Sequence, residues 1–265
     1  MSIRFSTIVS GSSGNCAYAG LCGEHILIDA GISGKRAQYG LSQIDAPTPT
    51  AILITHEHSD HIAGAGIMAR RFDIPVYATP LTWRYFLRHK KLGPLKEEQI
   101  KHVLPGKPFM IGLAQVTAFD VPHDASQPVG YVLEGDAMNG DRCKIAIATD
   151  LGKVTDTVLE HLSGARILLL ESNHDVEMLL GGRYHQMLKD RVMGARGHLS
   201  NAAAGQLIVD VAWDGLTHVI LGHLSEENNR PMLAFDTVGR ILDANGVKVR
   251  LTVADRHYSG ELIEV

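Results

Sequence analysis

Three imidazoles and two carboxylates crowd the segment Thr55-His56-Glu57-His58-Ser59-Asp60-His61, directly after the apolar stretch Ala51-Ile52-Leu53-Ile54. Imidazole nitrogen and carboxylate oxygen together suit zinc, manganese or iron. A cluster at the end of a buried strand can aim alternate side chains at one point from a rigid base. Left unpaired in a buried place, such groups would be costly, because desolvated charge needs compensation. The spacing points to two metal ions, with His56 and His58 sharing one while Asp60 and His61 turn toward the other. Two divalent ions about 3.5–4 Å apart can share one water, lower its pKa toward ~7 and deliver hydroxide to an electrophilic carbonyl or phosphorus. Hydrolysis is the expected reaction.

The pattern His-x-His-x-Asp-His at the end of a strand resembles the signature of the metallo-β-lactamase superfamily. Further positions that match that family follow in order: Asp29 in Ile26-Leu27-Ile28-Asp29-Ala30-Gly31, His123 in Val121-Pro122-His123-Asp124, Asp150 in Ile147-Ala148-Thr149-Asp150, and His223 in Ile220-Leu221-Gly222-His223. Each stands just past an apolar or β-prone run, which is where a sheet delivers functional groups. The resemblance implies that His56, His58 and His123 hold one ion, that Asp60, His61 and His223 hold the other, and that Asp150 bridges them. Asp29 is then cast one step behind the ligands, hydrogen-bonding a ligand imidazole or the loop that carries it.

Strands are expected at Ile3 to Val9, Cys16 to Ala19, His25 to Asp29, Ala51 to Ile54, Val76 to Ala78, Gln115 to Phe119, Gly130 to Leu133, Lys144 to Ala148, Arg166 to Leu170, Thr217 to Leu221 and Lys248 to Val253. Helices are expected at Ile62 to Phe72, Pro80 to Arg88, Thr155 to Leu162, Tyr184 to Met193, Asn201 to Ala212 and Arg230 to Ala244. Two groups of strands separated by helices fit an α/β fold of two mixed sheets packed face to face with helices outside. This is the αββα sandwich that the resemblance implies. Because the ligand set runs from Asp29 to His223 and no Pro/Gly/Ser-rich linker interrupts it, residues 1–265 are read as one domain.

The start, Met1-Ser2-Ile3-Arg4-Phe5, reads as a strand containing a charge rather than a signal peptide. No apolar run approaches the ~20 residues that span a bilayer, so a soluble cytoplasmic protein is expected. Cys16, Cys22 and Cys143 lack metal-ligand spacing and read as reduced, packed thiols. A net charge of −4 gives no global pull toward nucleic acid, so a polyanion must be held by a local patch or by the metals. One such patch is Arg84, Arg88, Lys90, Lys91, Lys96, Lys101 and Lys107, with Tyr85, Phe86, His89 and His102 interleaved. Another is Arg183, Lys189, Arg191 and Arg196, just before Gly197-His198. Nothing in the sequence indicates an oligomeric state.

An aspartate at the bridging position resembles the glyoxalase II and phosphodiesterase branches of the superfamily, where the antibiotic-hydrolysing branch commonly has cysteine. Glu171 in Leu170-Glu171-Ser172-Asn173-His174-Asp175 and His198 in Gly197-His198-Leu199-Ser200-Asn201 resemble the acidic residue and histidine that support catalysis in the nuclease branches. That likeness implies that Glu171 orients His198, which stabilises the scissile phosphate or protonates the leaving oxygen. The short interval between Asp150 and His223 leaves no room for the large inserted domain of the ribonuclease J type, and the His123 to Asp150 interval lacks the arm of ribonuclease Z. Together with Val9-Ser10-Gly11-Ser12-Ser13-Gly14-Asn15-Cys16, these segments resemble the YycJ/WalJ family of small bacterial metallo-β-lactamase-fold proteins. The resemblance implies a metal-dependent 5′→3′ exonuclease on DNA, with Asp60, His198 and Glu171 as its catalytic residues.

Glycines in Gly11-Ser12-Ser13-Gly14-Asn15 permit backbone amides and short hydroxyls to converge on an anion. Ser12, Ser13 and Asn15, with Asn173 and His174, are the candidate substrate contacts. A second reading keeps the metals and makes the protein a thioester or lactone hydrolase of the glyoxalase II type, although the chain ends soon after the last strand with no helical glutathione-binding domain. A third is a metal-stabilised regulatory module without turnover. Fold by itself does not choose among them.

Overall fold

The computed structural model describes residues 3–88, 92–136 and 140–265. The first sheet contains β1 (Arg4–Val9), β2 (Cys16–Leu21), β3 (Glu24–Ile28), β4 (Ala51–Leu53), β5 (Val76–Ala78) and β6 (Ile100–His102) in sequence order, with β14 (Ile263–Glu264) added outside β1. The second contains β7 (Pro108–Ile111), β8 (Ala114–Asp120), β9 (Val129–Asp136), β10 (Arg142–Ala148), β11 (Ile167–Glu171), β12 (His218–Gly222) and β13 (Arg250–Val253), also in order. In each sheet an antiparallel half gives way to a parallel one, at β3 in the first and at β10 in the second. Both sheets are therefore mixed.

Period-two side-chain alternation builds the layers. Ile26 and Ile28 face inward with Val116, Tyr131, Ile145, Ile147, Leu169 and Ile220 of the opposite sheet, forming one apolar core between the sheets. Leu27, Ile52 and Ile54 face the other way, onto Ala37 and Leu41 of α1 (Gly34–Gln43), Met68 of α3 (Ala65–Phe72) and Trp83 of α4 (Pro80–Phe86). Leu168, Leu170 and Leu221 likewise meet Val158 of α5 (Asp156–Leu162), Leu207 and Ile208 of α8 (Asn201–Val211) and Val238 of α9 (Pro231–Ala244). Three apolar layers between four structural layers make the αββα sandwich. Parallel strands covered on both faces explain why β11 is buried along its whole length. No helix among the described residues is long and apolar enough to cross a membrane.

The expected helix from Ile62 to Phe72 is broken in two. A single turn, α2 (Ser59–Ile62), precedes α3, and Gly64 separates them because a Cβ there would lie 1.9 Å from Ile32 O. Asp60 and His61 thus ride on a helical turn rather than a loop. Helix α1 was not anticipated, since two glycines in Gly34-Lys35-Arg36-Ala37-Gln38-Tyr39-Gly40 weaken its propensity, while Ala37 and Leu41 supply its buried face. Helix α6 (Val176–Gly181), beside α7 (Gln186–Met193), and strands β6, β7 and β14 were also missed. Those strands are short and lie at or next to sheet edges, where little alternation accumulates. Ser200 caps α8 as expected, its Oγ accepting from Ala203 N at 3.2 Å. Cys16 and Cys143 are buried free thiols, and Cys22 is partly buried.

Candidate metal centre

Every residue of the expected ligand set leaves a strand at the same edge of the sandwich. Asp29 follows β3 and the 55–61 segment follows β4, its parallel neighbour. Asp150 and His223 follow β10 and β12, and Glu171 ends β11 between them, all three strands being parallel. His123 follows β8, which points the same way as β10 because both run antiparallel to β9. The chain must turn sharply at these ends. Asp29, Asp150 and His223 adopt left-handed φ of 60°, 58° and 55°, a conformation that Asp and His tolerate better than most residues but that still costs of order 1–3 kcal/mol each.

These turns bring His56, His58 and His123 together as one potential ligand group, and Asp60, His61 and His223 as another, with all offered atoms of a group within 4.8 Å. Asp150 lies between them. Its Oδ1 is 3.5 Å from both His123 Nε2 and His223 Nε2, and its Oδ2 is 3.2 Å from His61 Nε2. The remaining ring nitrogens are engaged from behind: His61 Nδ1 with Asp29 Oδ2 at 2.7 Å, His123 Nδ1 with Gly197 O at 3.2 Å, and His223 Nδ1 with Glu171 Oε1 at 2.8 Å. With each of those acceptors taking a proton from Nδ1, the Nε2 lone pairs face the centre. His123 Nε2, His223 Nε2 and Asp150 Oδ2 are buried with no hydrogen-bond partner. Converging orphaned lone pairs and carboxylates ask for an electrophile, and this N/O donor set fits divalent metal ions.

The electrostatics agree with that fit. Burial pushes His56 and His123 below the ordinary histidine range, toward the neutral form that ligates. Burial acts the same way on His61, but Asp29, Asp150 and Asp60 outweigh it and hold it well above. His223 is lifted to about 10 against its burial by Asp150, Asp60 and Glu171. Burial tends to raise Asp60 and Asp150, yet the neighbouring histidines keep both carboxyls well below their usual range.

Asp29 reaches both the His61 ring and the loop that carries it. Besides taking the His61 proton, it accepts Thr55 N at 2.9 Å and Thr55 Oγ1, so one carboxylate fixes the start of the metal-site segment and one of its rings. Thr55 Oγ1 in turn lies 3.0 Å from His56 Nδ1. An Asp29→Asn substitution is expected to weaken metal affinity about 10- to 100-fold with the fold retained, read by competition with a chromogenic chelator; unchanged affinity would detach Asp29 from the site. Gly31 follows for a steric reason that the sequence alone did not disclose. A Cβ there would sit 1.5 Å from Asp60 O.

Glu171 is fully buried and uses both oxygens. Oε2 accepts Leu151 N at 2.9 Å and Leu199 N at 3.0 Å, while Oε1 meets both His198 Nδ1 and His223 Nδ1 at 2.8 Å. His198 stands beside the ligand groups, its ring centroid 5.1 Å from His123 and 5.4 Å from His223, with 22% of its side chain exposed. Burial lowers its proton affinity but Glu171 more than restores it, leaving His198 above its ordinary range. Glu171, despite its burial, is held down at about 2 by the two histidines.

The expected substrate contacts separate into two sets. Ser12 and Ser13 are exposed beside the centre. Asn15 is buried, with Nδ2 3.1 Å from His61 Nε2 and 3.3 Å from Asp60 Oδ2. Asn173 is buried and donates to His223 O at 2.9 Å, and His174 is buried behind it. Ser10 was missed: its Oγ accepts His223 N at 2.8 Å and reaches Asn15 Oδ1 at 3.2 Å. The one cue was its place in the Ser/Gly-rich loop. His174, with Nδ1 unpartnered, is pushed by burial to about 4. A neutral imidazole of this kind stabilises the fold fully above the ordinary value near 6.5, and the contribution disappears as pH falls through 4. Metal-free protein is expected to lose roughly 3 kcal/mol more than a His174→Asn variant between pH 7 and pH 4 in urea denaturation; parallel curves would refute this.

The basic clusters are partly spent on the fold. Lys96 pairs with Asp73 at 2.8 Å, and Arg84, Arg88, Lys101 and Lys107 are exposed, while His89, Lys90 and Lys91 lie outside the described residues. In the second cluster Arg191 binds Asp124 at 2.6 Å and Arg196 donates to His123 O at 3.1 Å. Both brace the loop carrying His123.

An αββα sandwich with His and Asp side chains converging at one edge defines a class, and the beta-lactamase superfamily domain matches residues 24–224. Exodeoxyribonuclease YycJ of Bacillus anthracis is 38% identical over 94% of this chain and 92% of its own length. Exodeoxyribonuclease WalJ of Streptococcus pneumoniae is 38% identical over 95% of this chain and 93% of its own. The chain belongs to the YycJ/WalJ exodeoxyribonuclease family of the beta-lactamase superfamily. Among solved structures, the metallo-β-lactamase-fold protein YhfI of Bacillus subtilis superposes with a TM-score of 0.70 at 14% identity, covering 100% of this chain and 99% of that one. Zinc-bound PqqB of Methylobacterium extorquens gives 0.68 at 16% identity, covering 97% and 99%. Divalent metals are typical of this superfamily, and the clusters described here offer the ligands.

Proposed function

We propose that the protein is a metal-dependent exodeoxyribonuclease, a hydrolase of DNA phosphodiester bonds built around two divalent ions. The observation that carries this reading is the Glu171 oxygen shared by His198 and His223, which ties a proton-bearing imidazole to the ligand set at 2.8 Å. The named activities of the two relatives at 38% identity support it.

His56, His58 and His123 would hold one ion, Asp60, His61 and His223 the second, and Asp150 would contact both. Zinc, manganese and iron all suit these donors. Ions bound there polarise a phosphoryl oxygen and lower the pKa of water toward ~7. The protein's own work is positioning and proton transfer. Asp29 and Glu171 hold His61 and His223 with their Nε2 atoms inward. Asp60 stays anionic throughout the neutral range and preserves the negative charge of the ligand set. His198, protonated through its contact with Glu171, donates from Nε2 to the scissile phosphate and then to the departing oxygen. Ser12 and Ser13 supply hydroxyls at the rim, whereas Asn15, Asn173 and His174 position the ligand loops from inside. Residues 1–265 act as one domain in this reading, because both sheets contribute ligands.

The test is degradation of 5′-labelled and 3′-labelled single-stranded DNA by Mn-loaded or Zn-loaded protein beside an Asp60→Ala control and a thioester assay. Metal-dependent shortening from the 5′ end, absent in the control, is expected. Intact DNA with rapid thioester cleavage would move the protein to the acyl-hydrolase branch.

A further inference from the structure

Beside the metal centre, one furrow combines exposed aromatic rings with guanidinium groups. Its floor is the turn 255–259 that follows β13. Asp255 Oδ1 accepts the amides of His257 at 2.6 Å and Tyr258 at 3.0 Å, which folds the turn outward. The turn is fastened to the loops that carry the site. Ser10 N donates to Asp255 O at 2.9 Å, and Arg256 Nη2 donates at 2.9 Å to Leu224 O, the carbonyl next after His223. Arg256 Nη1 reaches Ser12 Oγ at 3.4 Å. From the other flank, Arg36 of α1 donates to Arg256 O at 2.6 Å.

Two clefts share His257 as a wall. One, of about 370 Å³, lies between the 224–231 loop and Arg256, and the other, of about 90 Å³, lies between α1 and the turn. Tyr39 and Tyr258 line the smaller cleft and are 62% and 72% exposed. An exposed tyrosine offers a π-face on which any base can stack, and a guanidinium beside it can hold the adjoining phosphate. Against these cations stand Glu226, 3.5 Å from Arg256 Nη1, and Asp255, whose Oδ1 is occupied by the turn's own amides. The cleft with Tyr39, Tyr258 and Arg36 meets the cleft with Arg256 and Ser10 at His257, and Arg256 joins it to Ser12.

We propose that this furrow is a single-stranded DNA platform, with bases stacked on Tyr258 and Tyr39 and phosphates held by Arg256 and Arg36, that feeds the strand past Ser12 to the metal centre. The proposal takes its substrate from the DNA-hydrolase reading and adds a binding claim of its own.

The test is fluorescence anisotropy of a labelled phosphorothioate thymidine oligonucleotide of about 15 nucleotides on metal-loaded protein. Tyr258→Ala and Tyr39→Ala are each expected to weaken binding roughly tenfold, and Tyr258→Phe to bind like wild type because the ring is kept. Arg36→Ala should flatten the log–log salt dependence by about 0.7. Wild-type affinity in both alanine variants would overturn the platform, as would a Tyr258→Phe protein as weak as Tyr258→Ala. A change in self-association without a change in DNA affinity would also overturn it, making the face a protein contact. Hydrolysis of DNA and of bis(p-nitrophenyl) phosphate by the wild type keeps the two claims apart. Variant-sensitive binding without either hydrolysis removes the hydrolase reading and leaves the platform, whereas DNA cleavage with insensitive binding removes the platform alone.

Discussion

Replacing His198 with alanine is expected to lower kcat on single-stranded DNA by about 10²- to 10⁴-fold while metal content stays at the wild-type level. The separation follows from where the side chain sits. His198 is 2.8 Å from Glu171 and 3.8 Å from Asp150, with 22% of its side chain open, so it is placed to meet whatever enters the centre, while the two groups proposed to hold the ions, His56, His58 and His123 and Asp60, His61 and His223, come together without it. A donor must be protonated to act. Because Glu171 lifts His198 above its ordinary range, the wild type should lose activity as pH rises through a value above ~6.5, and this alkaline limb should vanish in the variant. Steady-state kinetics across pH with metal analysis on the same samples checks both. A retained rate, or a lost rate accompanied by lost metal, would remove His198 from proton transfer.

Glu171→Gln should do more damage than its conservative size suggests. One oxygen serves His198 and His223 together, and the other takes the amides of Leu151 and Leu199. An amide cannot accept from both rings and both backbone groups, so a buried NH₂ is left against at least one donor. The expected results are a stability loss of about 1–3 kcal/mol, metal affinity reduced about 10- to 100-fold through His223, and a kcat at or below that of the His198 variant. The metal loss is what distinguishes the two substitutions. In the double variant the kcat effects should be markedly less than additive, because both changes break one contact. Full additivity would show that Glu171 acts independently of His198.

The residues of the candidate centre were legible because their signals are local. Each is a His or Asp directly after an apolar run, and strand ends in a parallel arrangement share one edge, so a linear pattern becomes a cluster. The sandwich was legible for the same reason, through uninterrupted apolar runs such as Ile26-Leu27-Ile28 and Leu168-Leu169-Leu170, whose side chains go alternately to the inter-sheet core and to a helix-covered one. What escaped depends on contacts between distant segments. Nothing near Glu171 says that it meets His223 as well as His198, nothing near Gly31 says that Asp60 O lies where its Cβ would be, and nothing in Ser10 announces a bond to the His223 amide. Asn173 and His174 stand in a motif of polar residues and were read as substrate contacts, yet the β11 terminus buries both. Charge runs were equally opaque, since Lys96, Arg191 and Arg196 have partners elsewhere in the fold that sequence distance hides. The turn around Arg256 and Tyr258 carried no motif at all.

The most direct test of the account is to titrate Mn or Zn into metal-free protein while following the length of single-stranded DNA labelled at either end. The metal-free protein is expected to be inert, activity to rise with occupancy and saturate at about two equivalents per chain, and the strand to shorten from its 5′ end. Intact DNA at full occupancy would contradict this, as would DNA cleavage that ignores the metal.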